Sequence, residues 1–421
     1  MKNNKRNYSL FFLDTFLFVN AMTYLSINAV ITYFLNVLGA STFQISLASA
    51  LVSLGNLVSQ PIFSRMSAGL PYKSKVFTRI LLVQRFFFLA YVATIPLFTA
   101  LNPKYTVAAF LICWAIFNFF TGSYSTFYMA LFSKMVDGNQ SGRLRGFSGA
   151  VANAAALGSA YLSSVLLKNL AFPYNYTAVF AIGSILLILD GAEFSWFVEP
   201  PDEPVTNRMS YLQYIRDIPR ALSANKPLLI IIIASTFFVI SNVSITYYEL
   251  YAIRFFDARE NEVALFMAIT VVINTLGNIF FGLISDRYGH RLVLLISSLC
   301  GVLAGLAVLS FSDIYGVFAA FALSNLCSCG YMLSTTILLL KCSKQNEIPL
   351  NMGIYCIITL IASSLVTLSG SFIIDWFSFK PLFFVTGAAG LGAFLVMFFF
   401  YRVKTGEVYR VDNLPLQQDG K

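Results

Sequence analysis

The chain has 421 residues, of which 58% are hydrophobic and only 11% are charged, whereas charged residues make up about a quarter of an ordinary soluble domain. This composition excludes a soluble globular protein and predicts a membrane protein. The formal net charge of +9 does not indicate a nucleic-acid partner, because the lysines and arginines are scattered through short loops instead of gathered on one face. We expect membrane lipid as a partner and no nucleic acid.

A helix needs about 20 apolar residues to cross a bilayer. Twelve such runs occur, and we number them as spans 1 to 12 in chain order. Their predicted ranges are 9–38, 42–64, 76–100, 105–133, 145–168, 175–198, 227–256, 262–285, 291–311, 314–341, 349–376 and 380–402. The first run leads directly into further apolar sequence, so we expect a retained signal anchor. An even number of spans places both termini on one side.

The basic residues predict which side that is. If the N-terminus is cytoplasmic, 23 of the 28 lysines and arginines fall on the cytoplasmic side or at cytoplasmic span ends. Cytoplasmic loops of membrane proteins carry this excess of positive charge. The pattern therefore predicts a multi-pass protein of the cell membrane with both termini in the cytoplasm.

The longest polar interval, from Glu199 to Lys226, divides the spans into two sets of six. It opens with a proline-rich stretch and continues with apolar residues at helical spacing opposite Arg216 and Arg220, which predicts an amphipathic helix on the membrane surface. An unstructured linker is the alternative. The predicted domains are an N-terminal six-helix bundle (1–198), a cytoplasmic linker (199–226), a C-terminal six-helix bundle (227–403) and a cytoplasmic tail (404–421).

The two halves repeat a short pattern. Gly55-Asn56 is followed by Arg65, and Gly277-Asn278 is followed by Arg287, at a constant offset of 222 residues. Together with the span count, this repeat predicts an all-α membrane protein with twelve transmembrane helices in two pseudo-symmetric six-helix bundles. Transporters are built in this way from repeated halves.

Polar side chains concentrate in spans 1, 4, 7 and 10. Unpaired polar groups that face lipid cost free energy, so we expect these four spans to line a shared cavity, although contacts between helices are the alternative explanation. The amides and tyrosines expected in the cavity are Asn20, Tyr24, Asn28, Asn118, Tyr124, Tyr128, Asn242, Tyr247, Tyr248, Asn325 and Tyr331. Uncharged donors, acceptors and aromatic faces suit a neutral or amphipathic organic solute better than a bare inorganic ion.

Ionisable residues inside spans are costly and indicate function. Asp14 in span 1 and Arg85 in span 3 are expected to pair across adjacent helices, and Glu249 lies late in span 7. Asp190 and Glu193 share one face of span 6, one helical turn apart. Burial disfavours the charged form of a carboxyl group, so Asp14 and Glu249 are the candidates to carry a proton, with Arg85 beside them. A structural ion pair or a carboxylate that reaches the membrane surface is the alternative.

The sequence carries no pattern for another chemistry. His290 is the only histidine, which excludes a histidine-based metal cluster or catalytic triad. The six cysteines lie in or beside apolar runs without a disulfide framework, and no phosphate-binding loop occurs. We therefore predict no enzymatic activity, no cofactor and no metal site.

The most specific motif is the charged turn between spans 8 and 9. It reads Gly282-Leu283-Ile284-Ser285-Asp286-Arg287-Tyr288-Gly289-His290-Arg291. It resembles the signature G-x-L-x-D-R-x-G-R/K-R/K of the major facilitator superfamily. The stretch from Gly142 to Gly146 is similar to a looser loop pattern of that family. The resemblance implies two six-helix bundles, a midplane site lined by spans 1, 4, 7 and 10, and alternating access by rocking of the halves.

The resemblance also implies a latch. By analogy with the family, Asp286 would meet the start of span 5 and close the cytoplasmic side in the outward-open state. The residues that form this predicted latch are Gly282, Asp286, Arg287, Gly289, Arg291, Arg143 and Arg145. The first half departs from the motif, because Ser64 replaces the aspartate. Span 5 lacks the glycine-proline pair of drug antiporters, and span 4 lacks the arginine of many proton-coupled members.

These patterns predict a secondary active transporter that moves a small, neutral or amphipathic organic solute as a monomer. We expect proton coupling, and the aromatic lining favours export. An uptake symporter or facilitator for a sugar, peptide or other nutrient is the alternative. A channel and a non-transporting membrane sensor are the alternatives outside this class. The sequence shows no selectivity-filter run, which a channel would need, and no attached domain, which a sensor would need.

Overall fold

The structure, a computed structural model, describes residues 2–136, 138–201, 222, 225–311, 313–343 and 348–400. In these ranges the regular secondary structure is helical and no strand occurs. The α-helices are Lys2–Tyr24, Thr32–Val37, Thr42–Ala68, Ser74–Leu101, Pro103–Met135, Gly138–Asn169, Tyr174–Glu193, Lys226–Asn242, Ile245–Phe256, Glu260–Tyr288, His290–Ser310, Ile314–Lys341, Ile348–Phe377 and Phe379–Leu395. Short 3₁₀ or π segments extend or join some of them.

Twelve stretches of these helices are long and apolar enough to cross a membrane, as predicted. They are Lys5–Val37, Thr42–Ser67, Ser74–Leu101, Pro103–Met135, Arg143–Asn169, Tyr174–Trp196, Lys226–Phe256, Asn261–Tyr288, His290–Ser310, Ile314–Lys341, Asn351–Phe377 and Phe379–Phe399. Their ends differ from the predicted ends by four residues or fewer. We call the side that carries both chain ends the terminal side and the opposite side the far side.

The spans form two bundles of six that pack against each other. Within the first half, span 1 packs against spans 5 and 6, and span 4 packs against spans 2 and 3. Span 2 crosses to span 11 of the second half, and span 5 crosses to span 8. The predicted pair of pseudo-symmetric bundles is therefore confirmed.

The repeated glycines explain part of this symmetry. A Cβ atom on Gly55 would lie 2.5 Å from the backbone carbonyl carbon of Asn118 on span 4. A Cβ atom on Gly277 would lie 3.1 Å from the side chain of Leu326 on span 10. Each glycine thus faces the first span of the next three-helix unit. Gly55 packs against backbone atoms of that span, whereas Gly277 packs against side chains.

Replacing Gly55 by valine is therefore expected to destabilise the protein by about 1–3 kcal/mol, because overpacking against backbone cannot relax. Gly277→Val is expected to cost less, since a side-chain tip can move aside. Thermal unfolding of the purified variants measures both effects. Gly149→Ala is the control, because its Cβ would meet no atom within 4 Å. A smaller loss of stability for Gly55→Val than for Gly277→Val would contradict this account of the packing.

The first span of each half is discontinuous, which the sequence did not predict. Span 1 leaves regular α-helix after Tyr24 and continues as a π-helix over Ile27–Ile31. Span 7 ends one helix at Asn242 and begins the next at Ile245. Such breaks free backbone polar groups, and transporters place them beside the substrate path.

The start of the linker is fixed to the first half. The Glu199 carboxylate accepts hydrogen bonds from the backbone N–H groups of Lys73 and Ser74 at 2.8–2.9 Å, and it pairs with Lys134 at 3.0 Å. It therefore caps the start of span 3 and ties it to the end of span 4. The predicted amphipathic helix and the tail 404–421 lie outside the described residues, except for Leu222.

Candidate transport site

Three carboxyl groups meet in the first half. Asp14 of span 1 lies beside Asp190 and Glu193 of span 6, and one oxygen from each lies within 4.8 Å of the others. All three side chains are buried. Span 1 brings Asp14 to this place because it packs along span 6. We call these three residues the carboxyl cluster.

Two further side chains bind the carboxyl cluster. The buried Arg85 guanidinium forms an ion pair with Asp190 and donates a hydrogen bond to the carbonyl of Leu187. The Tyr124 hydroxyl donates a hydrogen bond to Asp14 Oδ1 at 2.7 Å. The predicted pairing of Arg85 with Asp14 is wrong in this structure, because span 3 packs directly against span 6 and meets Asp190 first.

Glu193 is the third member of the carboxyl cluster. Neither of its carboxylate oxygens has a hydrogen-bond partner in the described part of the chain. The sequence shows that Asp190 and Glu193 share a face of span 6. It does not show that this face meets Asp14, which lies more than 170 residues earlier.

A cavity of about 260 Å³, which we call the N-half cavity, lies next to the carboxyl cluster. Arg85 and Tyr124 line it and also bind the cluster. The remaining lining residues belong to the same half, and they are Phe18, Met22, Leu25, Ser26, Ile27, Val52, Leu81, Gln84, Trp114, Phe117, Asn118, Thr121 and Leu187. The site thus combines aromatic faces with amide, hydroxyl and guanidinium groups.

A second cavity of about 250 Å³, which we call the inter-half cavity, lies on the other side of span 1. Its walls come from spans 1 and 5 of the first half and from span 8 of the second half. The lining residues are Phe18, Val19, Met22, Thr23, Ser26, Asn153, Met267, Thr270, Val271 and Asn274. Neither of these two cavities includes a residue of spans 7 or 10.

The predicted cavity residues of spans 1 and 4 divide between lining and packing. Tyr124 and Asn118 line the N-half cavity, and Tyr128 stacks on Tyr124 with ring centroids 5.1 Å apart. Asn20 instead joins span 1 to span 5, because its Oδ1 accepts a hydrogen bond from Ser159 at 2.7 Å. The remaining two are the buried Tyr24, which packs on span 6, and Asn28, which lies in the π-helix of span 1.

The predicted residues of spans 7 and 10 mostly stabilise the second half. Asn242 donates to Ser328 at 2.9 Å, and Asn325 donates to the backbone of its own helix. Tyr331 stacks on Phe238 with ring centroids 3.7 Å apart, and Tyr248 stacks on Phe383 at 5.3 Å. These contacts between helices are the alternative explanation for the polar residues of spans 7 and 10. The polarity of a span does not by itself distinguish a cavity lining from contacts between helices.

Glu249 is a buried carboxyl group that forms no ion pair with any residue the structure describes. Its side chain is only 1% exposed, and neither carboxylate oxygen has a hydrogen-bond partner among the described residues. It lies in the far-side segment of span 7, after the break. An ionised carboxylate is costly to bury in such a place, whereas a carboxyl group that binds a proton becomes neutral.

Hydrogen bonds join the two halves on the far side. The Tyr247 hydroxyl of span 7 lies 2.7 Å from Ser46 Oγ of span 2 and donates to the carbonyl of Thr367 on span 11 at 2.5 Å. Arg254 donates to Thr42 at 3.1 Å. A further bond at mid-depth joins Ser53 to Ser363 at 3.1 Å. Tyr247 is therefore part of a far-side closure and not of a cavity wall.

The charged turn between spans 8 and 9 lies on the terminal side. Asp286 is exposed, and no ion pair joins it to another described residue. Gly289 has a φ of +85°, which glycine adopts without strain, and Gly282 is half-buried. Arg291 donates to the carbonyl of Phe398 at 2.7 Å and so holds span 9 to the end of span 12.

The other predicted latch residues also have local contacts. Arg287 lies over the ring of Tyr288 at 5.4 Å. Arg145 lies over the ring of Phe132 at 4.2 Å, and Arg143 is exposed at the start of span 5. The latch is thus not engaged among the described residues, and its role stays a prediction.

Twelve spans in two equivalent halves, with one cavity between the halves and hydrogen bonds that join the halves on the far side, form the architecture of a membrane transport protein. The sequence profile of the Major Facilitator Superfamily matches residues 13–258 and again residues 229–416. The chain belongs to the Major Facilitator Superfamily. No curated protein matches it by sequence.

Solved structures show the same fold. The nucleoside transporter NupG is similar with a TM-score of 0.71 at 12% identity, over 94% of this chain and 100% of that one. A D-xylose-proton symporter has a TM-score of 0.71 at 15% identity, over 96% and 99%. A bacterial homologue of the iron transporter ferroportin in an inward-facing state has a TM-score of 0.67 at 13% identity, over 93% and 97%.

Proposed function

We propose that this protein is a proton-coupled secondary transporter that moves a small, uncharged or amphipathic organic solute across the cell membrane by alternating access. The observation that carries the proposal is that two residues belong both to the wall of the N-half cavity and to the hydrogen-bond and ion-pair partners of the carboxyl cluster. Arg85 and Tyr124 line the N-half cavity and at the same time bind Asp190 and Asp14 of the carboxyl cluster. A solute that displaces either side chain changes the partners of a buried carboxyl group, and that change links solute binding to proton binding.

The described conformation fits one step of this cycle. The positive-charge bias supports a cytoplasmic terminal side. With that orientation, the hydrogen bonds of Tyr247 and Arg254 close the outward side, as an inward-facing step of the cycle requires. The predicted latch between Asp286 and the Arg143–Arg145 turn would then form only when the terminal side closes.

The same alternating-access cycle can carry the solute out of the cell or into it. The aromatic lining of the N-half cavity favours export of an amphipathic compound. The similarity of the fold to that of a D-xylose-proton symporter favours uptake of a nutrient. We retain export as the proposal and uptake as its alternative, and transport assays in right-side-out and inside-out vesicles separate the two.

Neutral replacements of the two candidate proton carriers test the coupling. Asp14→Asn and Glu249→Gln are each expected to lower pH-gradient-driven transport at least tenfold, because an amide cannot bind and release a proton. Exchange of solute across the membrane without a pH gradient is expected to continue, since it needs no net proton movement. Proteoliposomes with an imposed pH gradient measure the first quantity, and counterflow measures the second.

Asp257→Asn is the matched control, because Asp257 is an exposed carboxyl group at the far-side end of span 7, and asparagine adopts its left-handed backbone conformation readily. It is expected to transport like the unmodified protein. Full pH-driven transport by both Asp14→Asn and Glu249→Gln would refute proton coupling at these residues.

A further inference from the structure

The carboxyl cluster has more acidic groups than its surroundings balance. Its three side chains are at most 1% exposed, and Arg85 is the basic side chain that pairs with it among the described residues. One guanidinium balances one carboxylate, which leaves two carboxyl groups of the cluster without a counter-charge. A buried charge without a partner is far more costly than a neutral carboxyl group. Two of the three carboxyl groups are therefore expected to be neutral.

The first proton lies between the two aspartates. The carboxyl groups of Asp14 and Asp190 lie at hydrogen-bonding distance from each other. Two ionised carboxylates have no hydrogen to donate, so a bond between them needs a proton on one of the two. The Arg85 guanidinium pairs with Asp190 and stabilises its ionised form. The shared proton therefore lies on Asp14, which donates it to Asp190.

Glu193 has no such neighbour to balance it. No N–H or O–H group of the described chain donates to its carboxyl oxygens, and one of them lies within 4.8 Å of an oxygen of each aspartate. The charged groups that act on it are Asp14 of span 1, Arg85 of span 3 and Asp190 of its own span. Because Asp190 already balances Arg85, an ionised Glu193 would add a second negative charge to the site. Like charges this close disfavour ionisation.

Aromatic rings close the terminal-side end of the cluster. Phe194 follows Glu193 directly and packs edge-on against Phe77 of span 3, with ring centroids 4.7 Å apart. Phe197 stacks on Phe194 at 5.3 Å, and all three rings are buried. These rings keep bulk water away from Glu193 in this conformation. A carboxyl group that binds a proton tolerates such surroundings, whereas a carboxylate does not.

We propose that Glu193 is a second proton-binding residue beside Asp14, so that the carboxyl cluster holds two protons in the described conformation. The proposed proton coupling, on which this inference rests, then uses two protons at one site of the first half. Glu193 lies three residues nearer the terminal-side end of span 6 than Asp190. Its proton is therefore the one nearer to the cytoplasm in the proposed orientation.

Infrared spectroscopy of the purified protein tests the proton on Glu193, because a protonated carboxyl group absorbs at a higher frequency than a carboxylate. Carbon-13 in the side-chain carboxyl group of glutamate separates the glutamate bands from the aspartate bands. At neutral pH the buried Glu193 and Glu249 are expected to form the protonated-glutamate band, since exposed glutamates are ionised. Glu193→Gln is expected to lower this band about twofold, because it removes one of two protonated groups. An unchanged band would overturn the inference.

Two comparison variants make the band specific. Glu262→Gln is the matched control and is expected to leave the band unchanged, because the Glu262 carboxylate accepts a hydrogen bond from the backbone N–H of Arg259 at 2.8 Å. Glu249→Gln is expected to keep the part of the band that belongs to Glu193. Complete loss of the band in Glu249→Gln would overturn the inference, and this measurement holds even if Glu193→Gln does not fold.

The aspartate band tests the shared proton in the same way. Asp14→Asn is expected to remove the protonated-aspartate band, since Asp190 then remains as a carboxylate paired with Arg85. A band that persists in this variant would overturn the placement of the first proton.

A divalent cation is the other species that would balance two negative charges among oxygen ligands. Millimolar Ca²⁺ or Mg²⁺ is expected to leave both bands of the unmodified protein unchanged. Loss of the bands on addition of either ion would identify the cluster as a cation site and overturn the inference.

The infrared bands do not depend on transport. If the bands behave as expected but a pH gradient drives no transport, the two-proton cluster stands and the proposed coupling fails. If a pH gradient drives transport while the Glu249→Gln protein has no protonated-glutamate band, the role of Glu193 is refuted and the proposed function stands.

Discussion

Arg85→Met is expected to destabilise the protein by about 3–5 kcal/mol, which is the cost of leaving one partner of a buried ion pair without its counter-charge. Arg85 and Asp190 are 2% and 0% exposed, so solvent does not screen the remaining carboxylate. The same variant is expected to lose pH-driven transport, because Arg85 also lines the N-half cavity. Chemical unfolding in detergent and proteoliposome uptake measure the two effects.

The double variant Arg85→Met with Asp190→Leu separates stability from transport. Replacing both members of a buried ion pair by apolar residues is often neutral, so most of the lost stability is expected to return. Transport is expected to stay absent, since the cavity has lost its guanidinium and the carboxyl cluster has lost a member. Recovery of pH-driven transport together with stability would show that the pair is only structural.

Tyr247→Phe is expected to shift the protein up to about tenfold away from the far-side-closed conformation, because a hydrogen bond contributes roughly 0.5–1.5 kcal/mol. The bond that matters joins the Tyr247 hydroxyl to Ser46 in the other half, whereas the bond to Thr367 stays within the second half. Spin labels on cysteines at Lys104 and Lys380, two exposed far-side positions in opposite halves, report the opening as a longer electron–electron distance.

Two comparison variants make the result specific. Tyr248→Phe is the matched control, since the partners of its hydroxyl, Ser324 and Ser244, both belong to its own half. Asp286→Asn is expected to move the distance the other way, toward far-side closure, if the latch holds the terminal side shut in the alternative conformation. Unchanged distances for Tyr247→Phe, or the same change for Tyr248→Phe, would contradict the role of Tyr247 in closure.

The sequence predicted the fold well because membrane spans are a local property. A run of about 20 apolar residues has few alternatives to a helix in lipid. The repeat of Gly55-Asn56 at Gly277-Asn278 predicted the two halves, and the structure gives its reason, since both glycines pack against the next polar span. The breaks in spans 1 and 7 were missed because neither span has proline or glycine at the break, which follows Tyr24 in span 1 and Asn242 in span 7.

The site was predicted only in part. Asp14, Arg85, Tyr124 and Asn118 do lie at one site, and their residue types alone indicated it. Tyr247, Tyr248 and Tyr331 were expected beside them but serve closure and packing. Asn153 and Asn274 were missed, because spans 5 and 8 carry too few polar residues to stand out from an ordinary apolar helix.

The sequence by itself determined that this protein crosses the membrane twelve times in two similar halves, since hydrophobic length and repeated local patterns need no knowledge of the neighbours. Only the tertiary structure decided which charges meet. Asp14 could pair with any basic residue at the same membrane depth. The packing of spans 1, 3, 4 and 6 pairs Arg85 with Asp190, places Tyr124 beside Asp14, and leaves Glu193 without a partner among the described residues. Such pairings depend on the rotation of each helix about its own axis, and that rotation is set by contacts between spans that lie far apart in the chain.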